Sequence, residues 1–131
     1  MKVLICDDHK LVRDGLRQIF AQYYAVKQID EASTGKEVGE LLAKQSYDLL
    51  LLDISLTDQS GLTVLQMVKQ KWPATAVLML SMHPQEQYAI RALSYGASGY
   101  LTKDAAAEEL LLAVRKIAEN GKYISESLAD C

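Results

Sequence analysis

A single α/β domain built on an open, doubly wound parallel sheet is predicted from three observations. Five short aliphatic runs, near residues 2–6, 26–30, 48–53, 76–81 and 98–102, alternate with five amphipathic stretches near 10–23, 35–45, 61–72, 85–95 and 105–120. Runs such as Leu49 to Leu52 and Val77 to Leu80 are apolar at every position, which calls for burial on both faces and hence for helices on both sides of the sheet. Connections are short, with no internal repeat or low-complexity tract. Five parallel strands with right-handed crossovers then most simply take the order 2-1-3-4-5.

The first strand, Val3-Leu4-Ile5-Cys6, is closed by Asp7 and Asp8. The helix after it carries the stripe Leu11, Val12, Leu16, Ile19, Phe20 and Tyr23, expected to face the core. A second strand near 26–30 and a helix near 35–45 follow, and the third strand is closed by Asp53. Pro73 ends the third helix after Trp72, and Pro84 opens the fourth. Between them a strand closes on Ser81, with Met79 and Met82 expected in core and loop packing. The fifth strand holds Tyr100. The last helix opens with Glu108 and Glu109, favourable to its dipole, carries the stripe Leu110, Leu111, Val114, Ile117 and Ala118, and stops at Gly121. Only the tail, Lys122 to Cys131, falls outside the alternation.

With 131 residues, half of them hydrophobic, the chain can bury one ordinary core without disulfides or structural metal. Its net charge is -3 and its lysines and arginines are scattered, so it lacks the basic stripe that neutralises duplex phosphates and is not expected to grip DNA by itself. Cys6 and Cys131 lie at opposite ends without a CxxC pair, which favours neither disulfide nor zinc. No apolar run approaches a membrane span, and Met1-Lys2-Val3 leads directly into a strand, so a reducing cytoplasm is the expected compartment.

Asp7, Asp8 and Asp53 end the first and third strands, between which the winding of a 2-1-3-4-5 sheet reverses and opens a crevice. Ionised carboxylates beside an apolar core need a metal, a cation or a substrate to offset desolvation and mutual repulsion. A cation held between acids is therefore expected. Each residue also has a plainer reading: Asp7-Asp8 as a helix cap ahead of Lys10-Leu11, Asp53 as a cap or turn, Ser81 as a turn residue, Tyr100 as a packed aromatic and Lys103 as a solvated lysine. The coincidence of the acids and Lys103 at one crevice favours a site, whereas Ser81 and Tyr100 rise above their plainer readings only through a family resemblance. His9 and His83 flank it, but two histidines without cysteine or a third ligand do not make a transition-metal set. His83 is expected in the loop beyond Ser81.

Over essentially residues 1–121 the chain resembles the receiver domains of two-component response regulators. The features are Asp7-Asp8, the strand-end Asp53, Ser81 closing Val-Leu-Met-Leu-Ser, Tyr100, and Lys103 in Gly-Ala-Ser-Gly-Tyr-Leu-Thr-Lys. Asp-Asp-His-Lys-Leu-Val-Arg and Gly-Ala-Ser-Gly-Tyr-Leu-Thr-Lys-Asp look like the NarL/FixJ subfamily, whose receivers normally precede a LuxR-type helix-turn-helix. The tail Gly-Lys-Tyr-Ile-Ser-Glu-Ser-Leu-Ala is similar to the linker before that module, so residues 122–131 read as the start of an interdomain linker.

The resemblance implies that Asp53 accepts a phosphoryl group from a sensor histidine kinase or phosphotransfer protein. It implies Mg2+ bound directly by Asp8, Asp53 and the backbone carbonyl of Ser55, with Asp7 reaching it through water, which suits an ion that keeps several waters. Lys103 would supply a positive charge to Asp53 and then to a phosphoryl oxygen. Ser81 would be the switch hydroxyl, and Tyr100 the aromatic that moves with it. Autodephosphorylation but no turnover of external substrate is implied, together with a homodimer formed on phosphorylation and control of transcription through a DNA-binding output domain.

Three positions depart from the common receiver pattern. Thr57 replaces the usual proline after the acceptor, Asp104 replaces the cis-proline after the lysine, and Ile54 replaces a tryptophan that some receivers carry. The alternatives are a receiver without DNA-binding output, a flavin-binding module of the same fold, and an aspartate-nucleophile phosphohydrolase. A flavin module should carry a hydroxyl- and glycine-rich loop where this chain has Asp7-Asp8-His9. A phosphohydrolase should carry its nucleophile in the acidic motif of the first strand.

Overall fold

The computed structural model describes residues 1–82, 86–105, 107–119 and 121–124. Strands β1 (Lys2–Cys6), β2 (Gln28–Ala32), β3 (Leu49–Asp53), β4 (Ala76–Ser81) and β5 (Gly99–Thr102) alternate with helices α1 (Lys10–Ala21), α2 (Gly35–Lys44), α3 (Gly61–Lys71), α4 (Glu86–Ser94) and α5 (Ala107–Ala118). The pairings are parallel, in the predicted order 2-1-3-4-5. A two-residue strand, β6 (Tyr123–Ile124), is added beside β5. Its presence was not foreseen, because two residues carry no period and the pairing depends on where α5 delivers the chain.

Side chains alternate across the sheet and feed two cores. Leu4, Cys6, Leu50, Leu52, Val77, Met79 and Tyr100 pack with residues of α2, α3 and α4, including Val38, Leu42, Leu65, Val68 and Ala92. Val3, Ile5, Leu49, Leu51, Leu78, Leu80 and Leu101 pack instead with Phe20 of α1 and Leu110, Ala113, Val114 and Ile117 of α5. β3 is buried at all five positions, as its unbroken leucine run requires.

Several local expectations shift. β2 begins at Gln28 rather than near Val26, because Lys2 pairs with Gln28 and Cys6 with Ala32, while Val26 N–H is used in a turn to Tyr23 O. As an edge strand β2 buries only Ala32, so its apolar pattern is weak and its bounds were hard to read. Leu11 does not face the core: it is 86% exposed, as is much of the first turn of α1, whose one fully buried residue is Phe20. Met82 is likewise exposed, as is Ala118 at the end of α5. Trp72 caps the C-terminus of α3 just before Pro73, as predicted, and Gly121 N–H closes α5 on Lys116 O at 2.9 Å. Pro84 and His83 lie outside the described residues, as do residues 125–131 of the tail.

Candidate functional site

One face of the sheet delivers the charged residues. Val3 and Ile5 in β1, Leu49 and Leu51 in β3, and Leu101 in β5 all belong to the core beneath α1 and α5. Continuing each alternation by one step past the apolar stretch gives Asp7, Asp53 and Lys103. Period-two alternation thus brings three residues far apart in sequence to one corner at the carboxyl ends of β1, β3 and β5.

The three are buried and in contact. Asp7 is 1% exposed, Asp53 2% and Lys103 7%, and Lys103 Nζ lies 2.7 Å from Asp7 Oδ2 and 3.0 Å from Asp53 Oδ2. Asp53 Oδ1 accepts a hydrogen bond from Ser55 N–H at 3.0 Å, and Asp7 Oδ1 accepts one from His9 N–H at 2.8 Å. The helix-cap reading of the acidic pair does not hold, since the N-cap of α1 is His9, with no side-chain cap bond. Lys103 is not a solvated lysine either.

Burial pushes the Asp53 carboxyl above the usual aspartate range and the Asp7 charge adds to this, against the pull of the Ser55 amide and Lys103. Burial alone would depress the Lys103 ammonium, but its bonds to Asp7 and Asp53 outweigh it and hold the pKa above the ordinary lysine value. Cys6, between the acids and the core, is pushed up to about 12 by burial, helped by the charges of Asp7 and Asp53. It is an inert thiol at neutral pH.

The donor set suits a hard divalent cation. Asp7 Oδ2, although paired with Lys103, and Asp8 Oδ1 are enclosed carboxylate oxygens that accept no well-directed hydrogen bond among the described residues. Carboxylate oxygens of this kind, beside a loop carbonyl and open water, are what Mg2+ takes. Among the described residues, Asp7, Asp8 and His9 bring potential ligand atoms within 4.8 Å of one another, with His9 Nδ1 2.9 Å from Asp8 Oδ1. His9 thus sits closer to the acids than its sequence reading suggested, but its ring is 70% exposed and imidazole is a poor ligand for Mg2+.

Ser81 is buried at the end of β4, where its N–H and C=O belong to the ladder and Lys103 N–H bonds its carbonyl at 2.7 Å. Tyr100 is fully buried on the α4 side. Burial raises its pKa, while the Ser81 side chain is near enough to lower it and the Tyr88 charge adds to the rise. Its enclosed hydroxyl has no well-directed hydrogen bond among the described residues. After Lys103, where Asp104 replaces the proline of the common pattern, the peptide bond is trans, as no described peptide bond is cis.

Sequence reasoning missed Arg13. Its Nη1 donates to Asp7 O at 2.7 Å and its Nε pairs with Glu31 at 2.9 Å, tying α1 and β2 to the acidic turn. The position was visible in Asp-Asp-His-Lys-Leu-Val-Arg, but its partner is a backbone carbonyl, which leaves no residue pattern.

Residues 3–115 match the family model described as response regulator receiver domain. The chain is 35% identical over 124 residues to the transcriptional regulatory protein DegU of Brevibacillus brevis, covering 95% of this chain and 52% of that protein. It is 30% identical over 129 residues to the response regulator UvrY of Escherichia coli K12, covering 98% of this chain and 59% of that protein. It therefore spans between half and two thirds of the length of these relatives. A solved two-component response regulator of the LuxR family from Aurantimonas sp. SI85-9A1 superimposes with a TM-score of 0.93 at 27% identity, over 98% of this chain and 92% of that one.

Proposed function

The chain belongs to the response regulator receiver family, and from that premise we propose that it is a phosphorylation-controlled switch with Asp53 as its phosphoacceptor. The observation that carries this reading is the Asp7–Lys103–Asp53 cluster: a buried carboxylate held in one orientation by the Ser55 amide and by an ammonium 3.0 Å away. A carboxylate is a weak nucleophile, so positioning and charge neutralisation must do most of the work.

In this reading a sensor histidine kinase or phosphotransfer protein in the cytoplasm presents a phosphohistidine. An Asp53 oxygen forms the new P–O bond as the P–N bond breaks, and the imidazole leaves with the electron pair. Asp8, Asp53 and the Ser55 carbonyl would hold Mg2+, with Asp7 reaching it through water. Bound there, the ion supplies positive charge against the phosphoryl oxygens. Lys103 keeps its proton throughout, as its raised pKa favours, and shifts from carboxylate to phosphoryl oxygen. The domain catalyses its own phosphorylation at Asp53 and its autodephosphorylation, with no external turnover.

The output is conformational. Phosphoryl charge biases a two-state equilibrium read by Ser81 and Tyr100. A relative named as a transcriptional regulatory protein, DegU, and the half of its length that this chain spans support a receiver joined through residues 122–131 to a DNA-binding domain, with homodimerisation on phosphorylation. Incubation with Mg2+ and acetyl phosphate followed by intact mass tests the central step. One phosphate adduct on the wild type and none on Asp53→Asn is expected; equal labelling of both would move the acceptor elsewhere.

A further inference from the structure

The loop that follows Asp53 is closed at its base. Gly61 N–H bonds Ile54 O at 2.8 Å, and Ser55 and Ser60 form an isolated antiparallel bridge. A Cβ on Gly61 would stand 2.3 Å from Asp53 O, so the chain must return against the acceptor's own backbone. The tip is different, because there the usual proline is Thr57, and nothing in the loop's own covalent structure stiffens it.

The tip is instead tied to another element. Asp58 Oδ1 accepts the Gly35 amide at 3.0 Å and Asp58 Oδ2 accepts the Lys36 amide at 3.1 Å. These are first-turn donors of α2, which have no partner within the helix. α2 already has its own cap, since Thr34 Oγ1 accepts Glu37 N–H at 3.1 Å. The contact is also fitted sterically: Gly35 lets the Gln59 side chain and Val64 approach to within 2.5 and 2.7 Å of where a Cβ would be. The bonds from Gly35 and Lys36 hold the Asp58 carboxyl below the usual aspartate range.

We propose that Asp58 is a positioning residue for the Asp53 site. By accepting the Gly35 and Lys36 amides it anchors the 54–60 loop to α2, and so fixes the Ser55 amide that orients Asp53 and the Ser55 carbonyl that would hold the cation. This rests on the proposed role of Asp53 and Ser55 and assigns the rigidity of their loop to one side chain. Asp58 acts through the loop and touches neither phosphoryl group nor ion.

Asp58 must be separated from a helix cap of purely structural value. Thr34→Ala is the control, because it removes a cap from the same helix without touching the loop. For wild type, Asp58→Ala, Asp58→Asn and Thr34→Ala, the measurements are urea stability, exchange protection and chemical shift of the Ser55 amide without metal, Mg2+ affinity by titration, and the initial rate of labelling by acetyl phosphate at saturating Mg2+. Asp58→Ala is expected to lose Ser55 protection and to weaken Mg2+ binding by about tenfold, the scale of losing hydrogen bonds to a charged group. Asp58→Asn, which keeps one acceptor, should fall between it and wild type. Thr34→Ala should lose stability but keep wild-type Ser55 protection and Mg2+ affinity. The proposal is overturned if Asp58→Ala retains both, or if Thr34→Ala loses them to the same extent. A wild type that takes no phosphate would instead sink the role of Asp53, and the metal-free Ser55 amide would still report on the loop.

Discussion

Lys103 Nζ stands 3.0 Å from Asp53 Oδ2 although fifty positions separate the two residues in sequence, and both are almost fully shielded from water. The same ammonium reaches Asp7, so one cation is shared between two buried carboxyl groups. Removing it leaves both uncompensated.

Lys103→Met is therefore expected to destabilise the metal-free fold by about 3 kcal/mol at neutral pH, the usual cost of breaking a buried ion pair. The loss should shrink on acidification, as Asp53, whose pKa burial raises, takes up a proton. Urea unfolding at about pH 7.5 and about pH 5 checks this. An equal loss at both would mean that the methylenes of Lys103, not its charge, hold the corner together.

Asp53 should itself be a liability to stability without metal. Its folded pKa is raised, first by burial and then by Asp7, so its contribution is fully present below its unfolded pKa and is lost as pH rises through the folded value. Asp53→Asn cannot ionise. The mutant should gain on wild type as pH climbs from about 4 to about 7, a range that begins at the ordinary aspartate pKa. Mg2+ should narrow the gap by binding the wild-type carboxylate. A stability difference that is flat with pH would show that Lys103 already neutralises Asp53 in full.

Ser81→Ala should separate phosphoryl capture from its readout. Asp53, the acids and Lys103 remain, so labelling should persist. The hydroxyl beside Tyr100 is lost, and with it a hydrogen bond to a charged group of roughly 1.5–3 kcal/mol, enough to move a two-state ratio about tenfold or more. Amide shifts of β5 and α4, with and without a phosphoryl mimic, provide the measurement. A full wild-type response around Tyr100 in the mutant would reduce Ser81 to a strand-end residue.

Gly99→Ala should detach β6. The added Cβ would stand 2.6 Å from Tyr123 O and 2.9 Å from Leu78 Cδ1; the leucine can move, whereas the strand carbonyl cannot without giving up its pairing. Tyr123 N–H, bonded to Ser98 O at 2.9 Å, should lose exchange protection, with an overall cost of about 1–2 kcal/mol. Unchanged protection at Tyr123 would mean that the edge can absorb a methyl group. Because β6 pairs at Gly99 and Tyr100, the same variant reports whether residues 123–124 sense the strand that carries the proposed switch residue Tyr100.

Hydrophobic period by itself determined the fold. Five aliphatic runs and five amphipathic stretches gave each main element to within about two residues, the degree of agreement expected of helix and strand ends, and the apolar character of β3 and β4 put helices on both faces. Strand order followed from handedness, Asp7, Asp8 and Asp53 were legible as acids closing buried strands, and Lys103 was legible only through the family resemblance. What only the tertiary structure decided depends on partners that have no side-chain signature. Asp58 finds the amides of Gly35 and Lys36, Arg13 finds the carbonyl of Asp7, and Tyr123 finds the backbone of Ser98. Leu11 fits the helical stripe but is 86% exposed, because no neighbouring element covers that position of α1. A periodic pattern records which side of an element is apolar; whether anything packs there, and which backbone groups meet across a loop, is set only when the elements are brought together.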